Sequence, residues 1–450
     1  DFTNDIADKI TVSPGTTTLS ETSKWYVLPT GKLRETKVYT ILESDFIIGE
    51  FSNAKLNIAN REYTLEYYQN KIDLVAHYVE TPALQGNTGN QKSIAGLFNT
   101  IYFDEENLSA LPSEIVQLTS DVFELRSTNA AAFQKAIENL SGKFYADIIM
   151  SAADTYNNSI LFNRLNPDLL AFKNSKNFWS QAIMRSKALP SDEKQLGNFK
   201  NTGIGAMFGA DIVLSRSMII GLFGQYSANE YLQDDNSANG QELGFGLYAF
   251  NTLSNALNIG LKSSLSYSSL KVNAKRSFIV ADKYKPEAEF NLSAIKLAAE
   301  VVKDFRIKSN LSITPFAGLQ GAMAFNGEIE EKGGNAANLI IDAGTNNRLY
   351  GTFGINVNYD INKAVVLHSG FNGRAAIVGE KGTMKETLAA GNKQYAEIES
   401  TKEPLYLGID LELDYKINDN FMVYINGNYG TNSQYLIGLG LSYRVLSSEI

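Results

Sequence analysis

The last strand-like segment of the chain, Gln434-Tyr-Leu-Ile-Gly-Leu-Gly-Leu-Ser-Tyr-Arg-Val445, decides between the folds that the sequence allows. Successive side chains of a β-strand point to opposite faces. One face of this segment carries Tyr435, Ile437, Leu439, Leu441, Tyr443 and Val445, and the other carries Gln434, Gly438, Gly440, Ser442 and Arg444, with Leu436 as its one large apolar member. A soluble sandwich would bury the apolar face in protein, whereas a membrane barrel would turn it to lipid.

The composition limits the class of protein. Among 450 residues there are 35 Gly, 23 Tyr and 24 Phe but 9 Pro, which favours strands over disorder. The net charge of −9 offers no electrostatic footprint for nucleic acid. The chain has no Cys and two His, so we expect no disulfide, no metal centre and no cofactor. It begins at Asp1 without a signal peptide, and we interpret it as a mature or trimmed chain.

The first part of the chain divides into two regions. Short, closely spaced strand-like segments at 38–42, 45–51, 63–67 and 71–75 predict the rungs of a β-solenoid over residues 1–80, with an ordinary small β-domain as the alternative. Residues 81–168 are interpreted as a helical linker, in which Gly142 separates two helices.

The second of these helices is predicted over residues 143–165. It would be about 34 Å long at about 1.5 Å per residue, which is enough to traverse a bilayer. One face has i+4 spacing and consists of Phe144, Ile148, Ala152, Tyr156, Ile160 and Arg164. Lys143, Asp147 and Asp154 are also present, so lipid cannot surround this helix but a polar-walled pore could.

The region 177–445 predicts about twelve strands, at 177–188, 202–215, 217–228, 241–251, 255–272, 288–306, 310–326, 347–361, 363–378, 395–416, 419–430 and 434–445. Between Leu405 and Tyr415, an apolar row alternates with Asp410, Glu412 and Asp414. These acids suit a wet lumen but not a dry sandwich core. Asp211 and Lys262 are predicted to face the same lumen, where each could contact the helix or be solvated.

The connections between these strands alternate in length. Five are tight, at 214–218, 251–255, 306–310, 360–363 and 417–420, and five are long and polar, at 189–201, 229–240, 273–287, 327–346 and 379–394, whereas 431–433 is short. Outer-membrane barrels have short periplasmic turns and long extracellular loops. The sequence therefore predicts a twelve-stranded antiparallel transmembrane β-barrel over 177–445. Candidates for its interfacial aromatic belts are Tyr359, Tyr415, Phe421, Tyr435 and Tyr443.

A solenoid end, a helix able to thread a pore and a C-terminal barrel together resemble the autotransporters of type V secretion. The segment 39–51, with the strands to Val75, is similar to the last rungs of such passengers. Leu140-Ser-Gly-Lys-Phe-Tyr-Ala146, running on to Asn163-Arg-Leu165, resembles the family's run before the barrel, although Lys143 replaces the usual acid and Asn163 a frequent Asp. Phe178-Trp-Ser-Gln-Ala182 is similar to the opening of the first strand.

The resemblance implies two further assignments. Gly440, Tyr443 and Val445 would form the C-terminal signal that barrel-assembly machinery reads, with Val445 where an aromatic residue is usual and Leu446 to Ile450 following. Asn157 and Asn158 match the residue type at which some relatives cut themselves in the pore helix. Their flanking sequence differs from that subfamily, and Asn pairs also occur by chance.

The resemblance implies a monomeric, non-enzymatic translocator in the bacterial outer membrane. It would secrete its own passenger and hold residues 1–80 at the cell surface, with helix 143–165 plugging the barrel. The alternative is a plugged porin or receptor barrel whose N-terminal region is periplasmic or lies in the lumen. An enzyme is not expected, because the sequence has no G-x-S-x-G elbow and His77 and His368 lie in predicted strands.

Overall fold

The structure of the protein is a computed structural model that describes residues 5–28, 36–53, 55–58, 61–78, 83–103, 111–154, 157–165, 170, 175–190, 198–277, 285–389 and 396–445. The helices in these ranges are α1 (Gly89–Phe103), α2 (Ser113–Thr128), α3 (Ala130–Leu140), α4 (Lys143–Ala152) and α5 (Asn157–Arg164). The strands before the barrel are β1 (Ile10–Thr18), β2 (Lys37–Ile48), β3 (Lys55–Ile58), β4 (Arg61–Tyr67) and β5 (Lys71–Tyr78).

The remaining strands belong to the barrel and to a small second sheet. They are β6 (Lys176–Leu189), β7 (Phe199–Ser215), β8 (Met218–Gln233), β9 (Asn236–Ser254), β10 (Ile259–Lys275), β11 (Glu287–Lys303), β12 (Phe305–Lys308), β13 (Leu311–Asn326), β14 (Ile329–Glu330), β15 (Leu339–Ile341), β16 (Gly344–Asp360), β17 (Val365–Val378), β18 (Thr383–Leu388), β19 (Ala396–Glu399), β20 (Leu405–Lys416), β21 (Phe421–Gly430) and β22 (Gln434–Val445).

Twelve long strands close into an antiparallel barrel, as predicted. Their order around the ring is β11-β10-β9-β8-β7-β6-β22-β21-β20-β17-β16-β13, and β13 pairs with β11 to complete the circle. The last strand pairs with the first from Tyr435–Ser186 to Val445–Lys176. The short β12 follows β11 and also pairs with β13. Because each long strand bonds to two neighbours, the described barrel has no open edge, which is the arrangement that hydrocarbon requires.

The two faces of the barrel wall differ as the alternation predicts. On the outside, Ile409 is 64% and Leu439 is 58% exposed. On the inside, Asp211 is 2% and Lys262 is 7% exposed. In water an outer surface of this kind would be unfavourable, whereas in a bilayer it meets acyl chains. The apolar outer face is therefore the lipid-facing face.

The tight turns lie at one end of the barrel. Residues 216–217 join β7 to β8, and residues 417–420 join β20 to β21. At the other end, the prediction of a polar loop over 229–240 was wrong, because β8 and β9 continue to a two-residue turn at Asp234 and Asp235. The polar residues there occupy inward positions of these strands: Asn229, Gln233 and Asn236 are buried.

A cap covers the long-loop end and was not predicted. Loops were expected over 327–346 and 379–394, but in the described parts of these ranges β14, β15 and β18 join β19 in a four-stranded sheet with the order β14-β15-β18-β19. The strand predicted over 395–416 is split, since β19 joins this sheet and β20 begins at Leu405. Helices α1 to α4 pack on the sheet and on the upper barrel wall around one apolar core, which includes Phe98, Leu140, Ile148, Leu339 and Ile398.

The N-terminal strands form a five-stranded sheet with the order β1-β2-β5-β4-β3. Only β1 and β2 are parallel, whereas β2–β5, β5–β4 and β4–β3 are antiparallel. The stacked rungs predicted for residues 1–80 are not found among the described residues. A solenoid pairs successive rungs in parallel, but here β4 folds directly back on β5 as a hairpin. A small core of Trp25, Tyr63, Leu74 and Ala76 supports the sheet.

The single helix predicted over 143–165 is two helices. Gly142 separates α3 from α4, as expected, in a left-handed conformation with φ of 58°. Helix α4 then ends in a tight turn, where the Asp154 N–H donates to the Ser151 carbonyl at 3.1 Å, and α5 starts at Asn157. Among the described residues, no helix is long and apolar enough to span a bilayer.

The lipid-facing assignment predicts a depth-dependent effect of arginine. Leu439→Arg or Ile409→Arg, near the middle of the wall, should cost about 2–4 kcal/mol, because the charge would face hydrocarbon. Ile417→Arg, in the tight turn beyond β20, should cost about 0–1 kcal/mol. The free energy of unfolding of each variant in lipid vesicles can be measured by urea titration with tryptophan fluorescence as the signal. Equal stability of all three variants would contradict the assignment.

Candidate functional site: the barrel lumen and the chain inside it

Gly142, between α3 and α4, lies against the sheet of the cap. A side chain at this position would collide with the Glu386 carboxyl group. Glycine therefore suits this turn for two reasons, the positive φ and the lack of space for a Cβ atom. Burial raises the pKa of Glu386 well above its usual value, although Arg276 partly opposes this shift. The raised pKa favours the uncharged carboxyl at this crowded contact.

Helix α4 carries a buried ion pair that bonds to the cap and the wall. The Lys143 ammonium lies 2.7 Å from the Asp147 carboxylate, one helical turn away. Asp147 also accepts hydrogen bonds from the Thr401 N–H at 2.6 Å and from the Gln233 side chain at 2.9 Å. Both charges of the pair are buried, at 1% exposure each. The polar residues of α4 are therefore satisfied by protein, which is the condition for burying charge.

Just after α4, Asp154 joins a network of five buried charges, hereafter the Asp154 network. Lys187 of β6 lies 3.1 Å from Asp154 and 2.7 Å from Glu403. Arg374 of β17 reaches the same two carboxylates, at 3.4 Å and 3.2 Å, and Arg348 of β16 lies 2.8 Å from Glu403. We call the segment that contains α4, Asp154 and α5 the inner chain. Three cations and two carboxylates thus connect it to three wall strands.

Helix α5 contacts the wall through its backbone and side chains. The Lys262 ammonium of β10 donates to the Phe162 carbonyl at 2.6 Å. The Arg164 guanidinium lies 4.4 Å from the centre of the Trp179 ring, and it donates to the Tyr424 hydroxyl at 3.1 Å. Its other terminal nitrogen is 3.7 Å from Asp211. Of the five residues predicted to face the lumen, Lys262 and Asp211 thus contact α5.

The other three predicted lumen acids bond to neighbouring wall strands. Asp410 accepts hydrogen bonds from Asn372 and Asn428. Glu412 accepts one from the Asn426 amide at 3.2 Å, and an Asp414 oxygen lies 3.2 Å from the His368 ring. All of them point inward, but their described partners belong to strands β17 and β21.

The residues predicted along the pore helix divide between two apolar clusters. Phe144, Ile148 and Ala152 are buried in the cap core, and Ile160 belongs to a second cluster deeper in the barrel. Arg164 makes the contacts above, and Tyr156 lies outside the described residues. Of the candidate cleavage pair, the Asn158 side chain is buried and accepts a hydrogen bond from Ser264 at 2.9 Å. The side chain of Asn157 is outside the described part.

The candidate belt residues lie on the outer face near both rims. Tyr359, Tyr415, Phe421 and Tyr443 are close to the tight-turn end, with Phe421 directly opposite Tyr443. Tyr435 lies at the start of β22, opposite Tyr429. Of the residues assigned to the C-terminal signal, Gly440 packs against the Tyr424 ring, and Val445 pairs with Lys176 of the first strand.

Most of the residues that hold the inner chain were not predicted from the sequence. Lys187, Arg348 and Arg374 occupy inward positions of their strands, so the period-two phase could have marked them as lumen cations. Glu403 was assigned to a strand, although it lies between β19 and β20. The pairing of Lys187 and Arg374 with Asp154 spans as many as 220 residues of sequence, and no local pattern encodes it.

Comparisons with known proteins agree with this architecture. A family model described as the autotransporter beta-domain matches residues 178–428. The translocator domain of NalP from Neisseria meningitidis is similar in structure, with a TM-score of 0.53 and 14% identity over 67% of this chain and 99% of that one. The transport unit of AIDA-I from Escherichia coli has a TM-score of 0.43 and 13% identity over 68% and 97%. Curated protein sequences give no match.

The Asp154 network predicts a specific loss of stability. Asp154→Asn would leave three buried cations facing one carboxylate, and removing one partner of a buried pair costs about 3–5 kcal/mol. The temperature at which the folded, fast-migrating band disappears on a gel should fall accordingly. Asp410→Asn removes a lumen acid outside the network and serves as the control. Adding Lys187→Met to Asp154→Asn should restore part of the loss, whereas no recovery would contradict the pairing.

Proposed function

Because the chain belongs to the autotransporter β-domain family, we propose that its barrel secretes the chain's own N-terminal passenger and then holds it at the cell surface. The barrel resides in the bacterial outer membrane, and barrels of this family are not a class of enzymes. The passenger is the region that precedes the inner chain, with residues 1–80 as its last part and residues 81–168 as the linker into the barrel. The remaining partners are membrane lipid and the machinery that assembles outer-membrane barrels, which reads the end of β22. The barrel acts as a monomer.

One observation supports this proposal: α4 packs under the cap at the long-loop end, whereas α5 contacts inward-facing residues of the barrel wall. Helices α1 to α3 pack at the long-loop end. The first strand begins at Lys176, beside Ile212 and Val445 near the tight-turn end. A path of the segment 143–165 between these two ends would place its side chains against the inward-facing residues that α4 and α5 contact. Such a path is what remains when a preceding segment has moved through the lumen to the outside.

The inner chain acts as a plug once transport is complete. Its two helices fill the lumen with side chains that pair with the wall, and the cap closes the long-loop end over them. The pairs of Lys187 and Arg374 with Asp154, and of Arg164 with Asp211, form only when this segment is in place, and without it these buried charges would lose a partner, which is costly. Formation of these contacts favours the exported state and needs no nucleotide.

A plugged porin or receptor barrel is the second candidate. The cavity at the tight-turn end, about 420 Å³ in volume, would favour it. In that case residues 1–80 would stay in the periplasm or the lumen, so their location separates the two functions.

The proposal predicts that residues 1–80 are accessible from outside intact cells. Since the chain has no cysteine, Lys24→Cys gives a single reporter that a membrane-impermeant maleimide should label. Lys402→Cys, at the long-loop end, should also be labelled. Asp419→Cys, in a tight turn, should react only after the outer membrane is permeabilised.

Two results would contradict surface display. One is protection of Lys24→Cys in intact cells, with labelling of Lys402→Cys as the proof that the barrel is inserted. The other is labelling of Asp419→Cys without permeabilisation, which would reverse the orientation of the barrel.

The plug predicts a low conductance of the full chain in planar lipid bilayers. Deleting residues 1–165 should raise the conductance several-fold, because the inner chain no longer fills the lumen. Deleting residues 1–82 is the matched control and should leave it unchanged, since the helices and the Asp154 network remain. Equal conductance of both deletions, each verified as folded by heat-modifiable migration, would sink the plug assignment.

A further inference from the structure

A cluster of three potential metal ligands lies inside the barrel, on a cavity that Arg164 of α5 also lines. It consists of His368 on β17 and Glu412 and Asp414 on β20. One ligand atom from each residue lies within 4.8 Å of the other two. His368 is directly opposite Glu412 in the paired strands. The two strands therefore place one nitrogen and two oxygen ligands at the same point of the lumen.

The histidine ring is oriented by a neighbouring strand. Its Nδ1 lies 2.8 Å from the Asn358 side-chain oxygen of β16. The amide nitrogen of Asn358 donates to the Ser312 hydroxyl at 3.3 Å, which directs the Asn358 oxygen toward the ring. Nδ1 therefore donates its hydrogen to the Asn358 oxygen. In the neutral ring this leaves the lone pair on Nε2, which faces Asp414. Metal-binding histidines are oriented by second hydrogen bonds of this kind.

Asp414 supplies the second observation. The residue is 8% exposed, and its Oδ2 lies 3.2 Å from His368 Nε2. Its Oδ1 is buried without a hydrogen-bond partner among the described residues. A neutral imidazole offers Asp414 no proton at Nε2. A cation between the ring and the two carboxylates would satisfy the lone pair and the buried oxygen together.

We propose that His368, Glu412 and Asp414 bind a divalent first-row transition-metal ion such as Zn²⁺. At metal–ligand bonds of about 2.0–2.2 Å, tetrahedral ligand atoms lie about 3.4 Å apart, and the observed spacing needs only small side-chain rotations. The imidazole favours such ions over Ca²⁺ and Mg²⁺, which prefer oxygen ligands. The proposal is independent of protein secretion.

The surroundings allow access and leave coordination positions open. The three residues line the 420 Å³ cavity, whose other lining residues include the tight-turn residues 418–420. An ion could enter from that end and keep water as its remaining ligands. Arg164 lines the same cavity, but its guanidinium hydrogen-bonds Tyr424 and pairs with Asp211.

The test is zinc binding to the full chain in detergent, after EDTA treatment and removal of the chelator. Isothermal titration with Zn²⁺ should show a single site that excess Ca²⁺ does not displace. His368→Gln and Asp414→Asn should abolish binding. Asn358→Ala should weaken it by about 10–100-fold, because it removes only the orienting bond. His77→Gln, at the other histidine, and Asp410→Asn, at a lumen acid outside the cluster, should bind as the unmodified chain does.

A second measurement avoids dependence on variants that fail to fold. Cu²⁺ added to the unmodified chain should give an electron paramagnetic resonance spectrum with coupling to one imidazole nitrogen. Absence of a zinc site in the unmodified chain would overturn the proposal and leave an imidazolium–carboxylate pair instead. Zinc binding that survives His368→Gln and Asp414→Asn would overturn it as well, because the ion would then be bound elsewhere.

Discussion

Closure of the backbone hydrogen bonds around one ring is the constraint on which the rest of the structure depends. Hydrocarbon offers no partner to an N–H or C=O group, so a sheet in a membrane must pair its last strand with its first. Here β22 bonds to β6 and β13 bonds to β11. Twelve is an even number, so antiparallel pairing brings both termini of the barrel to the tight-turn end. A chain segment that precedes β6 and functions at the other end must cross the membrane, and a path through the ring would offer it the polar partners that hydrocarbon lacks.

The contacts made by α4, α5 and Asp154 account for many of the charges of the lumen. A wall that faced only water could carry any polar residue, but a wall that faces a folded chain needs specific partners. The inner chain brings Asp147, Asp154 and Arg164, and each is met by a group of the wall or the cap. Its apolar residues occupy two clusters, one under the cap and one in the barrel. The lumen is therefore built like a protein core with buried ion pairs, and it leaves a cavity of about 420 Å³ at the tight-turn end.

The barrel could be predicted from the sequence because its physics is local. The alternation of apolar and polar residues in β20 and β22 indicates which face of the strand meets lipid. The lengths of the connections indicate which end of the barrel carries the tight turns. Features that depend on distant partners could not be predicted in this way. Strand-like segments at 38–75 do not reveal whether they pair in parallel rungs or in hairpins. The polar stretch 229–240 resembles a loop in sequence, because the partners of its inward-facing residues lie far away along the chain. After the turn that follows Ala152, Asp154 pairs with Lys187 and Arg374, which are also distant in sequence.

The Asp154 network also has a mechanical consequence. A tension applied to the N-terminal sheet would first act on the packing of α1 to α3 against the cap, and it would reach Asp147 and Asp154 once those helices had detached. Asp154 pairs with Lys187 of β6 and Arg374 of β17, and these two cations also pair with Glu403, which binds Arg348 of β16. The force would therefore be distributed over three strands. Each of these strands is held to both neighbours by a row of backbone hydrogen bonds, and a force along the strand would load the whole row in shear. Resistance to extraction is then a property of cross-links inside the ring, and it does not depend on how deeply any single helix is inserted in lipid.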